Sequence, residues 1–137
     1  MDASMAIAAS GMAAASASLT ASASNIANMD TAGPVPAGGP SQPLPANSGV
    51  YQAVSANTQA SPGGGATAAI SNVLPSYTLA YDPSTPFANL QGMVAQPNVD
   101  LATETVNQMS ASLAFRANLA VFETASKNFK SLLDTLA

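Results

Sequence analysis

The chain contains no cysteine, no histidine and no tryptophan among its 137 residues. Without thiolates and imidazoles it cannot form disulfides, Cys- or His-ligated zinc sites, or the Cys/His and Ser/His pairs of nucleophilic catalysis. Its seven carboxylates are scattered, and no set of polar residues suits acid–base or metal chemistry. The sequence therefore predicts a protein that is not an enzyme and that carries no cofactor and no metal.

Positive charge is also scarce, because Arg116, Lys127 and Lys130 are the whole basic complement and the net charge is −4. Nucleic-acid binding needs clustered Lys and Arg side chains that release counterions from phosphates. Binding to an anionic membrane surface needs a basic amphipathic helix. We therefore expect neither nucleic-acid binding nor direct lipid binding.

The alanine-rich start of the chain superficially resembles a secretory signal, but the match is poor. Residue 2 is Asp, no basic residue precedes the apolar part, and Ser and Thr interrupt it throughout. The segment is also small and hydroxyl-rich compared with a membrane-spanning helix. We therefore expect no cleaved signal peptide and no membrane span.

Residues 1–29 and 100–137 both have the apolar periodicity of long helices. In the first, Met5, Met12, Leu19 and Ile26 stand seven residues apart among alanines and serines. A seven-residue period with small neighbours predicts a seam that another helix approaches closely. Asn25 and Asn28 lie near the helix end, where they either cap the helix or bond a neighbouring subunit.

The C-terminal helix has apolar residues on more than one side. Val106, Met109 and Leu113 form one stripe, and a second runs from Leu119 through Phe122, Phe129 and Leu133 to Leu136; Phe115 and Phe122 belong to a series with a period of seven. This pattern favours burial among several helices over a plain two-helix coiled coil within the chain. Asp100 is predicted to be the N-cap, with Glu104 in the first turn.

Between the helices, residues 30–81 are rich in Pro, Gly and Ser and carry charge only at Asp30. Two segments, residues 49–54 and 69–74, are predicted to be strands, and the second strand could extend through residues 77–81. The glycines at 63–65 would turn a hairpin between them; the alternative is a disordered linker. Residues 82–99 are predicted to be a turn-rich connector.

These patterns predict a mainly α fold: long N- and C-terminal helices packed as a coiled-coil pair, with a Pro/Gly-rich extended or β-hairpin middle segment. Three connector prolines with Tyr81 and Asn98 are expected to fix the bend that docks the second helix, the alternative being an ordinary loop. The predicted assembly interface comprises Met5, Met12, Leu19, Asn25, Ile26, Asn28, Val106, Met109, Leu113, Phe115, Asn118, Phe122, Phe129, Leu133 and Leu136. The predicted connector residues are Tyr81, Pro83, Pro86, Pro97 and Asn98.

Several motifs match a known family. Residues 9–12 (ASGM) and 23–28 (ASNIAN), followed by Thr31, resemble the N-terminal signature of the bacterial flagellar axial proteins, the rod and hook subunits. Residues 81–86 (YDPSTP), 92–94 (GMV), 97–100 (PNVD) and 117–118 (AN) are similar to the short proximal rod members, whose length also agrees. Phe87 and Leu90 depart from the family pattern.

The resemblance implies a structural subunit of the flagellar basal-body rod, which polymerises through its terminal helices into a tubular drive shaft around the export channel. It implies as partners the chain itself, other proximal rod proteins, the distal rod protein, the MS-ring or junction protein and, during secretion, the flagellar type III export apparatus. The implied location is the basal body, spanning the periplasm. Alternatives are another short rod or ring–rod junction protein, or a secreted coiled-coil translocator.

Overall fold

The computed structural model describes residues 3–136, with two long helices at the chain ends and two small antiparallel sheets between them. The elements are α1 (Ala3–Asn28), β1 (Val54–Ala60), β2 (Ala66–Asn72), β3 (Tyr77–Tyr81), β4 (Met93–Pro97) and α2 (Leu101–Leu136). The predicted mainly α arrangement, with helices at both ends and a hairpin in the middle, is confirmed in this outline.

The two helices lie side by side and antiparallel. Ser22, near the end of α1, bonds Glu104 at the start of α2, and Gly11 lies against Asn118 further along α2. At 1.5 Å per residue α2 is about 54 Å long and α1 about 39 Å. Because Ser4 already lies beside residues 120–128, the last turns of α2 extend beyond the beginning of α1.

Small residues make the contact between the helices. Gly11, Ala15, Ser18 and Ser22 of α1 line a groove together with Asn107, Ala111, Ala114 and Asn118 of α2. A Cβ atom on Gly11 would lie 2.6 Å from Cγ of Asn118, so only glycine leaves room for that side chain. The backbones can therefore approach closely, as they do wherever small residues line a helix pair.

The predicted seam of Met5, Met12, Leu19 and Ile26 lies beside this contact, about 80° further round α1 at 3.6 residues per turn. Met5 is buried, Met12 and Ile26 are half-buried, and Leu19 is exposed. The sequence spacing predicts the heptad repeat of these four large residues. The stripe that faces α2 is the neighbouring stripe, which consists of small residues. A large side chain would hold the two backbones too far apart for the hydrogen bonds described below.

β1 and β2 form a hairpin that packs on α1. Its turn contains Gly65, whose φ of +89° is rarely open to other residues, and which lies against the Ser10 side chain of α1. The Ala66 amide donates to Ser10 Oγ at 3.1 Å. Both strands are displaced from the predicted runs at 49–54 and 69–74, because pairing propagates outward from this glycine turn and includes the alanine-rich residues beside it.

β3 and β4 form a second hairpin, and β4 lies within residues 82–99, where only turns were expected. Val50, Tyr77 and Ala95 are buried together, with Val35 and Leu44 packed against them. The backbone of Gly33 pairs with Ala95 in an isolated bridge. The Pro- and Gly-rich residues before β1 therefore cover the second hairpin and give the middle of the chain its own small core.

Candidate assembly interface

The first predicted stripe of α2 is largely uncovered by the rest of the chain. Val106, Met109 and Leu113 are 62%, 68% and 70% exposed. They follow one another at intervals of three and four residues and so share one face of the helix. No described part of residues 3–136 packs over this face deeply enough to bury it, so it presents a continuous apolar strip to the outside.

The second stripe lies on another side of α2, about 170° from the first at 3.6 residues per turn. Phe115, Phe129 and Leu133 are 39%, 49% and 51% exposed, whereas Phe122 is half-buried. The side chain of Leu136 lies outside the described residues. Phe122 and Phe129 follow Glu104 and Ala111 by five full turns, so the second stripe continues the side of α2 on which α1 packs, and the first stripe faces away from it.

Five of the six charged residues of α2 occupy the sector between its two apolar stripes. The group comprises Arg116, Glu123, Lys127, Lys130 and Asp134, and all five are exposed. Mixed charges on one sector mark a surface that stays in contact with water, because burying unpaired charges is costly. The helix is therefore divided lengthwise into apolar sectors for packing and one solvated sector.

A polar junction joins α1, α2 and the segment that enters β1. Asn25 is 1% exposed, and its Nδ2 donates to the Val54 carbonyl at 2.8 Å and to Glu104 Oε1 at 2.7 Å. Its Oδ1 accepts from the Tyr51 hydroxyl and from the Val54 amide, each at 3.0 Å. All four hydrogen-bonding positions of the side chain are used, so Asn25 acts inside this chain and a direct contact with another subunit would require the junction to open.

Glu104 is the charged member of this junction. Ser22 Oγ donates to Glu104 Oε2, and Asn107 Nδ2 donates to the same oxygen at 3.3 Å. Burial, together with the negative charge of Glu104, raises the pKa of Tyr51 above its ordinary value of 10.0. No buried side-chain nitrogen or oxygen in the described chain lacks a hydrogen-bond partner, so the charge is accommodated by donors from two helices.

Sequence reasoning missed Tyr51 and Glu104 as site residues. Glu104 was assigned only to helix initiation, yet it stands on the α2 stripe of small and amide side chains, two heptads before Asn118. A lone carboxylate at such a position, with an asparagine on the facing helix, was the available signal. Nothing in the local sequence identifies Tyr51, because its partner lies 26 residues away.

Asn28 and Asn118 bond within their own helices. Asn28 Nδ2 donates to the Ser24 carbonyl at 2.8 Å, and Thr31 Oγ1 donates to the Asn28 carbonyl at 2.7 Å, which satisfies acceptors at the end of α1. Asn118 Nδ2 donates to the Ala114 carbonyl at 2.9 Å while the side chain rests over Gly11. Asn118 thus lies at the α1–α2 contact, and Asn28 acts as a local cap.

The predicted connector residues lie in and beside the β3–β4 hairpin. Tyr81 is 71% exposed, and its ring and Pro83 lie against Gly92, where a Cβ would be 2.8 Å from Tyr81 Cε2. Pro86 is exposed, and Pro97 is buried at the end of β4. Asn98 Nδ2 donates to the Pro75 carbonyl at 3.1 Å, which ties the approach to α2 back to the start of β3.

Asp100 caps the N-terminus of α2 as the sequence predicts. Its Oδ1 accepts from the Thr103 amide at 2.6 Å, satisfying one of the free amides of the first turn. This hydrogen bond lowers the pKa of the Asp100 carboxyl below its ordinary value of 3.8. The start of the long helix is therefore specified by a local side-chain contact.

By length and composition alone, α1 is apolar enough to cross a membrane. In this chain its buried face instead carries Ser22 and Asn25, which bond Glu104 of α2. Its small residues face α2 and its Ser10 side faces the first hairpin. Within this chain, α1 therefore packs through its small and polar residues.

Comparison with known proteins identifies the group to which this architecture belongs. Residues 5–34 match the family described as "Flagella basal body rod protein". Residues 90–135 match "Flagellar basal body rod FlgEFG protein C-terminal". The two matches cover α1 with its cap and β4 with α2, the parts that form the helix pair.

Relatives matched over most of their length agree with these family matches. The flagellar basal-body rod protein FlgC of Salmonella typhimurium is 40% identical over 118 residues, covering 86% of this chain and 84% of the relative. FlgC of Escherichia coli O157:H7 is 39% identical over the same span, and FlgC of Yersinia enterocolitica is 36% identical. The chain belongs to the FlgC family of flagellar basal-body rod proteins.

Proposed function

We propose that this chain is a structural subunit of the flagellar basal-body rod and that it polymerises through the outward faces of its terminal helices. The observation that carries the proposal is the strip of Val106, Met109 and Leu113 on α2, which is about two-thirds exposed. Three adjacent, well-exposed apolar side chains on a rigid helix are suited to packing against a neighbour. No catalytic role is part of the proposal.

The free energy available from this strip is sufficient for specific contact. Full burial of an aliphatic side chain contributes about 1.5–3 kcal/mol, so covering the exposed two-thirds of three side chains contributes roughly 3–6 kcal/mol per contact. That range corresponds to about two to four orders of magnitude in affinity. Each subunit in a tube has several neighbours, so such contacts add up along the assembly.

The geometry of α2 supports an open assembly. Its apolar stripes point in directions about 170° apart, and therefore one subunit can contact different neighbours through different surfaces. Head-to-tail contacts of this kind build helical tubes instead of closed dimers. We infer that residues 1–29 and 100–137 form the axial layer as coiled-coil-like helices, while residues 30–81 and the connector 82–99 lie beside that layer.

The further details follow from membership of the family. The proposed partners are other copies of the chain, the other proximal rod proteins, the distal rod protein and the MS-ring or junction protein. The proposed route is the flagellar type III export apparatus, without cleavage of a signal peptide. The tube formed would span the periplasm, transmit torque and enclose the export channel.

The substitution Leu113→Asp tests the assembly surface. Leu113 is a better position than the half-buried Phe122, because its side chain is 70% exposed and its replacement removes few contacts within the chain. Thr105→Asp is the matched control: it adds the same carboxylate to an exposed site in the early turns of α2, where an acidic residue suits the helix dipole.

Each variant would be expressed as the only copy of the protein in the cell. The measurements would be motility in soft agar, the amount of the chain in isolated basal bodies and the amount of the chain in the medium. We expect Leu113→Asp to abolish motility and to leave the basal-body fraction at least tenfold depleted, while export and helix content stay normal. Thr105→Asp should remain motile. Normal incorporation of the Leu113→Asp chain would show that this strip is not an assembly contact.

A further inference from the structure

The contact between α1 and α2 is nearly uniform along its length. On α1 the facing residues are Gly, Ala and Ser, and on α2 they are two Ala, one Ser, two Asn and Glu104. Both sets recur with a period of seven residues. Sliding one helix by seven residues past the other would therefore again bring small residues against small residues, and apolar contact alone distinguishes the two alignments weakly.

Two features break this uniformity. At one end of the contact, Asn25 and Ser22 bond the carboxylate of Glu104. Further along, Asn118 occupies the space that Gly11 leaves by lacking a Cβ. Two heptads separate Gly11 from Asn25 on α1, and two heptads also separate Glu104 from Asn118 on α2. Both features are therefore satisfied together in a single antiparallel alignment.

We propose that the Asn25–Glu104 hydrogen bond and the fit of Asn118 over Gly11 together form a register lock, which selects one alignment of α1 and α2 from alternatives seven residues apart. The lock is independent of the proposed function, because every contact in it lies within one chain. Asn25 also bonds Val54 and Tyr51, so the same residue sets the position of the middle segment relative to both helices.

The nearest alternative alignment shows what the lock excludes. A slip of seven residues would place Ala111 opposite Asn25 and Ala125 opposite Gly11, so the backbones could still approach closely. Asn25 would then lose its carboxylate partner, and Asn118 would face Ser18, which has a Cβ where Gly11 has none. Buried polar groups that specify alignment at some cost in stability are well known in paired helices.

A distance between the two helices reports the alignment directly. Spin labels on Thr20→Cys and Glu123→Cys, both exposed positions, would be measured by double electron–electron resonance in the full-length chain. The chain has no cysteine of its own, so only the introduced sites take the label. A slip of seven residues shifts one helix by about 10 Å along the other, since each residue advances 1.5 Å.

The labelled chain should give one narrow distance, and adding Asn25→Ala and Asn118→Ala should produce a second population displaced by about 10 Å. The ratio of native to slipped alignments should fall from more than about ten towards one. This fall corresponds to a loss of at least about 1.4 kcal/mol in the free-energy difference between the two alignments. Asn28→Ala is the control, because that side chain bonds only its own helix. It should keep the single native distance.

Gly11→Leu supplies a second variant in case the double variant loses its helices. Leucine raises helix propensity while filling the space of Asn118, so the helices should persist and the native distance should be lost. An unchanged narrow distance in Gly11→Leu, or in a folded Asn25→Ala/Asn118→Ala chain, overturns the proposal. A broad distribution in the labelled chain without these substitutions overturns it as well.

Discussion

Replacing Asn25 by alanine is the most informative single perturbation of this chain. The substitution removes the donor to Glu104 Oε1 and to the Val54 carbonyl, and the acceptor for the Val54 amide and the Tyr51 hydroxyl. Alanine fits the space and is the best helix former, so no steric conflict arises. The experiment therefore isolates the value of the polar junction.

The expected loss follows from these four contacts. A neutral hydrogen bond contributes about 1 kcal/mol net and one to a charged group about 1.5–3 kcal/mol, which gives roughly 4–6 kcal/mol for three neutral bonds and one charged bond. Alanine restores at most about 0.7 kcal/mol of helix propensity. Because Tyr51, Val54 and Glu104 are only half-buried, water would replace part of the loss, and we expect about 3–5 kcal/mol.

Urea and thermal unfolding of the purified chain, followed by circular dichroism at 222 nm, measures this quantity. The expected loss corresponds to a fall of about 9–20 °C in the unfolding temperature, at roughly 3–4 °C per kcal/mol for a chain of this size. Asn28→Ala is the matched control, since it deletes one hydrogen bond to the chain's own helix and should cost below about 1 kcal/mol. If both variants unfold within 1 kcal/mol of the unsubstituted chain, the junction does not hold the three segments together.

Two further predictions concern pH, measured as the urea midpoint in buffered series. Because the pKa of Asp100 is lowered in the folded chain, the stability that Asp100 contributes is present above pH 3.8 and is lost as pH falls through the pKa of the folded chain. Asp100→Asn keeps a helix cap that does not titrate, so the urea midpoint of this variant should fall less in acid. An unchanged fall in acid would mean that other carboxylates cause it. The raised pKa of Tyr51 means that stability is fully present below pH 10 and is lost as pH rises through the higher pKa of the folded chain. Tyr51→Phe should lower the urea midpoint at neutral pH, but this midpoint should fall less between pH 9 and about 11 than that of the unsubstituted chain. An equally steep fall of the midpoint in alkali would exclude Tyr51 as the cause of the alkaline loss of stability.

The parts of the fold that sequence predicted well are those set by neighbouring residues. The start of α2 follows from the Asp100 side chain and the Thr103 amide, only three positions away. The turn of the first hairpin follows from glycines that accept positive φ angles. The apolar stripe of Val106, Met109 and Leu113 was predicted from spacing alone, because a helix converts intervals of three and four residues into one face.

The parts that sequence did not predict depend on partners far along the chain. β4 was assigned to a connector, since residues 93–97 become a strand only by pairing with residues 77–81. On α1, the sequence predicted a contact through the seam of large side chains, whereas in the structure the neighbouring stripe of small residues faces α2. Hydrophobic periodicity shows that a helix has a contact face, but it does not show which of two adjacent faces a particular partner selects.

The sequence by itself determined the chemical class and the local elements of this protein. Its composition lacks Cys and His and has three basic residues. The spacing of nearby residues specifies its two terminal helices and the hairpin that turns at glycines. Tertiary structure alone decided that Asn25 meets Glu104, 79 positions away, and that Gly11 makes room for Asn118. Caps, turns and periodicity act over a few residues, whereas a close helix contact and a saturated buried amide exist only after distant segments have come together.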